Sequence, residues 1–535
     1  MNDVHSHSFI ELITTLNDSI VRTEPYPHIV VENVFNDTFL RNCLSELRSE
    51  LTANYKETDL FKVFQTTDLA NFDSEDSETR EKVPNLIRLR KSLESTEFRE
   101  FISKATGCSS LDGAVDCSCN VYTTGCHLLC HDDVISTRKV SYIIYLSEPD
   151  DAWRAEDGGQ LELYDIGQAG EQPNNSPSVS TLPLWNSMVA FEVLPGRSFH
   201  SVREVTSETK PRVSISGWFH TTQTSQVKRT EGTLSSTLQQ LQSKQLLAGD
   251  DPKHGLLSTY SPITMSEPFD LHKWINPEYL TQEGIAQVRE VLRKENSVQL
   301  FSFLLPSIRD LIRSTLNRED HRNKRNRMNY DYGCGYGWVV KGPPHLCRYL
   351  AYEPGRCDEN RNKAGDVLSN VASGLIQSDE FNGWLSAVTD TDCNHMFSQV
   401  RRFRPGLDYT LACNGNTFSR CSELDVNLCF TSGNTPQQWL SGDFGGFRCF
   451  TSTEFQDGPP DVYQEDPSSG PELHSIPPSF NTLSIINLNT RVNDFVKYIS
   501  ARADVSRWDI TSYFQLSKRT KQHSSTTWTL DQDTD

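Results

Sequence analysis

Between Cys117 and Thr221 the chain is cut into short runs of β character, and the same punctuation returns between Tyr336 and Phe514. The first set falls at 117–123, 128–134, 139–147, 160–165, 188–194, 199–204 and 212–220, divided by turn residues. Strands this short at this spacing fold as a sandwich or a barrel. The two regions also overlay. EDGGQLELY (156–164) lies on GDFGGFRCF (442–450), each behind a tryptophan, Trp153 and Trp439. KPRVSISGWF (210–219) lies on VSRWDITSYF (505–514), and GCHLLCHDD (125–133) on GLDYTLACN (406–414). One fold used twice accounts for this pattern. A chain of 535 residues is in any case too long for one hydrophobic core.

The expected organisation is a first domain over 1–225, a linker over 226–262 and a second domain over 263–535. The linker is rich in Ser, Gln, Thr and Lys, with one helical piece at 234–247. Apolar periodicity predicts helices over 36–51, 84–106 and 277–316. The polar stretches 69–82, 167–180 and 457–472 read as loops, and the basic run 317–327 as a solvated loop. No run approaches the roughly 20 apolar residues of a spanning helix, so no membrane is expected. The N-terminus MNDVHSHSF has no charged stretch leading into an apolar run, so no secretion signal is expected. The 14 cysteines form no disulfide-like framework, which predicts a reducing cytoplasmic or nuclear setting. A net charge of −20 argues against nonspecific nucleic-acid binding and favours a basic partner.

The chemistry concentrates in LLCHDDV (128–134). Residues i and i+2 of a strand share a face, so His131 and Asp133 are expected to project together. A buried carboxylate is costly unless paired or bound to a metal. With His200 they make a two-histidine, one-carboxylate set, the facial triad that holds non-haem Fe(II) and leaves positions open. Arg212, Ser214 and Ser216 share one strand face, placing a guanidinium in the same interior. Such a group suits a carboxylate, with Tyr122 able to donate a phenolic hydrogen bond. Asp132 should face away, as a solvated or supporting carboxylate. In the overlay His131 falls on Ala412, Asp133 on Asn414 and His200 on Val496, so the ligands are expected only in the first copy. The cluster Cys117, Cys119, Cys126, His127, Cys130 and His131 has neither C-x-x-C nor H-x-x-H spacing, which argues against zinc. The glycine pairs 158–159 and 445–446 read as turns into strands.

The order H-x-D, distal His, then Arg resembles the Fe(II)/2-oxoglutarate-dependent dioxygenases. CHDD, GG-x-L-x-LY, SFHSV-x-EV and R-x-SISGWFH together resemble the prolyl 3-hydroxylases of the 2-oxoglutarate and iron-dependent oxygenase domain-containing group, which includes the yeast termination and polyadenylation factor. The resemblance covers most of the chain. It implies a mainly β protein with flanking helices (α+β), built of two double-stranded β-helix (cupin-like jelly-roll) domains in tandem. His131, Asp133 and His200 would be the catalytic iron ligands. Arg212, with Tyr122 and Ser214, would hold the cosubstrate. Fe(II), 2-oxoglutarate and O2 would be required, with ascorbate supportive. The implied substrate is a proline of a basic small-subunit ribosomal protein at the decoding centre, hydroxylated at ring carbon 3, with effects on translational accuracy and termination. Segment 69–82 is the expected lid. The C-terminal domain would dock termination or messenger-ribonucleoprotein factors. Nucleic-acid demethylation by the same chemistry, or a non-catalytic scaffold, are the rival readings. The oligomeric state is not legible.

Overall fold

The computed structural model describes residues 3–15, 20–73, 77–109, 111–135, 137–167, 172–221, 261–262, 269–323, 329–355, 363–412, 423–433, 435–452, 474–488 and 492–517. This part is mainly β, with helices packed against curled antiparallel sheets. The first sheet runs Val21–Arg22, His28–Glu32, Ser187–Glu192, Arg138–Tyr145, Arg212–Thr221, Ser118–Tyr122, Phe61–Gln65, His127–His131, His200–Val202, Leu161–Leu163, Val179–Thr181. All seven β runs read from the sequence in this region are strands, with ends that differ from the reading by no more than three residues.

Strand alternation divides this sheet into an outer and an inner face. Tyr142, Ile144, Met188, Ala190, Val213, Ile215 and Phe219 face one way. They pack under helices Asp37–Glu50, Pro84–Leu93 and Thr96–Thr106 through Phe39, Leu40, Leu44, Leu86, Leu89, Phe98 and Phe101. Their neighbours Ile143, Tyr145, Val189 and Phe191 face the other way, with Leu161 and Leu163 from across the curl. The helices therefore cover one face and leave the other to enclose an interior. Gly217 is required at the centre of its strand: a Cβ there would lie 1.7 Å from the carbonyl oxygen of Asp116.

The second β region has a sheet ordered Ser297–Phe301, Thr482–Leu488, Glu423–Phe430, Arg507–Ser517, Asp392–Phe403, Cys347–Tyr352, Trp338–Lys341. A separate three-stranded sheet is ordered His474–Ile476, Arg448–Ser452, Val492–Val496.

Several helical expectations are corrected. The stretch 84–106 is two helices, because the Ser95 side chain accepts from the Phe98 amide and starts a second one. The stretch 277–316 is a 3-10 turn, helix Gln282–Glu295, strand Ser297–Phe301 and helix Pro306–Asn323. Asn296, in the left-handed conformation, ends the first of those helices. The basic run is not a solvated loop as far as Asn323: it is helical, and its Asp320 is buried against Arg402, Ser506 and Trp508. Within 69–82, Leu69–Asp73 is a 3-10 helix whose Leu69 and Phe72 enter the core, and Ser77–Lys82 is helical, so the segment is not a loop where it is described. Of the expected linker, all but 261–262 lies outside the described residues, as does loop 457–472. No described helix is long and apolar enough to cross a membrane.

The two β regions touch through polar groups. Lys497 pairs with Glu57 at 3.1 Å, and the Ala412 amide donates to Asp59 at 2.9 Å. Burial raises the Asp59 pKa to about 6, against the pull of its backbone donors. A folded pKa above the unfolded one means that stability from this group is present below about pH 4 and falls as pH rises to about 6. The shift corresponds to about 3 kcal/mol. Asp59→Asn keeps the acceptor and removes the titration. Its stability relative to wild type should therefore rise between about pH 3 and pH 7 in denaturant unfolding, roughly by that amount. A pH-independent difference would contradict the assignment.

Candidate active site

Strand His127–His131 ends at His131, and Asp133 lies beyond it with φ +60°. The two residues therefore do not share a strand face; a left-handed turn folds the carboxylate back beside the imidazole. Strand His200–Val202 pairs with the same strand, with His131 directly opposite His200. The result is a buried cluster. His131 Nε2 lies 3.2 Å from one Asp133 oxygen and His200 Nε2 lies 3.3 Å from the other. One ligand atom from each residue falls within 4.8 Å of the others.

The protonation pattern suits a metal. Nδ1 of His131 donates to the Leu129 carbonyl and Nδ1 of His200 to the Ser198 carbonyl, each at 2.8 Å. In their neutral forms both imidazoles therefore turn the Nε2 lone pair toward the cluster, where a metal would displace the proton that Asp133 favours on His131. Burial alone would raise the Asp133 pKa, but the two imidazoles hold it well below the usual carboxylate range. Burial likewise opposes a charged His131, and Asp133 outweighs it. Asp133 takes two further hydrogen bonds on Oδ2, from Trp218 Nε1 at 3.0 Å and Ser141 Oγ at 3.3 Å. The Arg138 guanidinium covers the Trp218 ring. Trp218, Ser141 and Arg138 were not singled out from the sequence. Of these, Trp218 stood inside the SISGW string and was the one within reach.

Asp132 is not solvated. Its carboxylate accepts from the Gly196 amide at 3.0 Å and its carbonyl accepts from Ser198, so it pins the turn that delivers His200. Among the described residues, no other group of His, Cys, Asp or Glu is arranged to hold a metal. Burial raises the thiol pKa values of Cys117, Cys119 and Cys130.

Arg212 sits on the inner face, 1% exposed, between the rings of Tyr122 at 4.8 Å and Tyr145 at 5.0 Å. Its Nε donates to the Gly159 carbonyl at 2.8 Å and Nη1 to Ser214 Oγ at 3.3 Å. Nη2 is buried without a hydrogen-bond partner, and no carboxylate among the described residues pairs with it. The Tyr145 hydroxyl is likewise buried without a hydrogen-bond partner. An unpaired buried guanidinium is expensive, and two idle donors beside each other fit a bound carboxylate. Tyr145 packs with Leu163 and Phe191, and Phe191 lies edge-on to His200 at 4.8 Å, so cation and triad share one interior. Tyr122 offers its ring to Arg212, whereas Tyr145 offers the idle hydroxyl. Tyr145 was missed because an aromatic inside VSYIIYL reads as core. The donor set fits Fe(II) at the triad and 2-oxoglutarate at Arg212.

Ladder register amends the overlay of the two regions. His200 pairs with Leu163, four residues after Gly159; Asp494 pairs with Phe450, four residues after Gly446. Both glycine pairs have positive φ and both lie against a tryptophan, Trp153 and Trp439. The residue on the His200 position is therefore Asp494, not Val496. Its neighbourhood holds a guanidinium: Arg448 donates to Asp425, Asp494 and Tyr513.

Residues 117–220 match the 2OG-Fe(II) oxygenase superfamily, and residues 266–522 match the family described as oxoglutarate and iron-dependent oxygenase degradation C-term. The chain is 53% identical over 512 residues, 95% of its length and 98% of the relative's, to prolyl 3,4-dihydroxylase OGFOD1 of Ostreococcus tauri. It is 33% identical over 374 residues, 68% of its length and 56% of the relative's, to prolyl 3-hydroxylase OGFOD1 of Mus musculus. A solved prolyl-4-hydroxylase of Pseudomonas putida is similar at 20% identity and a TM-score of 0.27, covering 36% of this chain and 92% of that one.

Trp218→Phe removes one donor from Asp133 while keeping an aromatic under Arg138. Its iron affinity should fall about 10- to 100-fold in equilibrium dialysis. Unchanged affinity would show that Trp218 only packs.

Proposed function

The chain belongs to the OGFOD1 prolyl 3-hydroxylases of the 2OG-Fe(II) oxygenase superfamily, and we propose that its substrate is a proline in a basic small-subunit ribosomal protein at the decoding centre. Bound Fe(II) with 2-oxoglutarate and oxygen supplies the oxidising power that places a hydroxyl on the prolyl ring, releasing succinate and carbon dioxide. The protein supplies placement. His131, Asp133 and His200 would hold the iron through two neutral imidazoles and one carboxylate. Arg212 and Tyr145 would grip the distal carboxylate of 2-oxoglutarate, with Ser214 and Gly159 fixing the guanidinium and Tyr122 walling it in. Trp218 and Ser141 would keep Asp133 ionised and aimed. The observation that carries this reading is the buried Arg212, without a carboxylate, in one interior with the triad.

A net charge of −20 supports a basic protein substrate. Near-full-length similarity to a relative named a 3,4-dihydroxylase supports a second hydroxyl at ring carbon 4. The shared strand order supports two double-stranded β-helices in tandem, over 1–225 and 263–535, with 226–262 between them. In the second, Arg448 stands among the carboxylates, and this domain is the docking face for termination or messenger-ribonucleoprotein factors. No disulfide joins the described cysteines, which supports residence in the cytoplasm or nucleus.

Mass spectrometry of a decoding-centre loop peptide treated with the protein, Fe(II), 2-oxoglutarate and oxygen tests this. The expected product gains one and then two oxygens on proline. His131→Ala should give none, and Arg212→Ala should need about 10- to 100-fold more 2-oxoglutarate. Succinate formed without peptide oxidation would keep the chemistry and overturn the substrate.

A further inference from the structure

The SFHSV-x-EV string contributes His200 to the triad but leaves Glu204 without a task. Glu204 is 2% exposed, and among the described residues the hydrogen-bond donors to its side chain come from the second β region. Ser500 Oγ donates to Oε1, while the Ala501 amide donates to Oε2 at 2.6 Å and the Tyr498 hydroxyl at 3.3 Å. Burial raises its pKa against those donors. A buried carboxylate serving only its own domain would find its donors there; this one reaches across.

Its backbone stands where the segments of the active site meet. Glu204 follows strand His200–Val202 by two residues. Its carbonyl accepts from the Gly159 amide at 3.2 Å, and the Gly159 carbonyl accepts from Arg212 Nε. The approach is close enough that a Cβ on Gly158 would lie 2.0 Å from that Glu204 oxygen. The next residue, Val205, exchanges backbone hydrogen bonds with Gly125 and Cys126, the turn that opens strand His127–His131. Tyr498 also packs against His127 of that strand, ring centroids 4.3 Å apart. One residue thus ties together the strand bearing His200, the turn holding Arg212 and the start of the strand bearing His131.

We infer that Glu204 is a positioning residue: the second β region, by gripping its carboxylate, sets the geometry of the iron ligands and the 2-oxoglutarate clamp in the first. This rests on the assignment of that iron and 2-oxoglutarate site. It gives the second region a role in catalysis without any ligand of its own.

The test uses the full chain. 2-Oxoglutarate affinity is read from the visible charge-transfer band of the anaerobic Fe(II) complex, and iron retention by dialysis. The variants are Glu204→Gln, Ser500→Ala and, as a control on the same interface, Lys497→Ala. Glu204→Gln should weaken 2-oxoglutarate binding about tenfold or more and speed iron loss, with Ser500→Ala in between. Lys497→Ala, which breaks the pair with Glu57 across the same interface, should bind as wild type does. Ser500→Ala leaves Glu204 in place, so the claim remains testable if Glu204→Gln does not fold. Wild-type affinity in both Glu204→Gln and Ser500→Ala would overturn the inference, as would an equal loss in Lys497→Ala. No 2-oxoglutarate binding by the wild type would instead overturn the site assignment beneath it.

Discussion

A single carboxylate, Asp133, organises the first β region. It is buried, held by two imidazoles and two further donors, and reached only by a left-handed turn beyond the strand end. Such a group is unfavourable without compensation, and its donors must come from far along the chain. Ser141, His200 and Trp218 arrive from three other strands, which the curled sheet brings to one interior. The register that pairs His131 with His200 is the same constraint seen from the backbone.

Helices on the outer face make that interior affordable in hydrophobic terms. They bury one side of the sheet so that the other side is free for polar chemistry. Arg212 is the counterpart of Asp133: a charge placed inside, supported by a carbonyl and a hydroxyl, with one nitrogen left for a ligand. In the second β region the corresponding strands carry arginines and aspartates that satisfy one another, as in Arg401 with Asp509 and Arg448 with Asp425. Arg212 has no carboxylate beside it, whereas each of these arginines has one.

Much of this was legible in the chain. Strand alternation correctly put Arg212 and Ser214 on one face, and the H-x-D with a distal histidine named the triad. H-x-D does not share a strand face, because the strand stops at His131 and only the positive φ of Asp133 restores the contact. Tyr145 was hidden because hydropathy cannot tell a core aromatic from one with an idle hydroxyl. The overlay that sets His200 on Val496 slips two residues and passes over Asp494, since the strings carry no ladder register. Helix stops at Ser95 and Asn296 were masked by apolar periodicity that runs on across them.

The central claim is that one interior, and not its counterpart, holds iron. The direct measurement is Fe(II) bound per chain under anaerobic dialysis, for wild type, His131→Ala and Asp133→Ala. One iron in the wild type and none in either variant is the expected result. A second equivalent in the wild type, or one that survives in both variants, would contradict it.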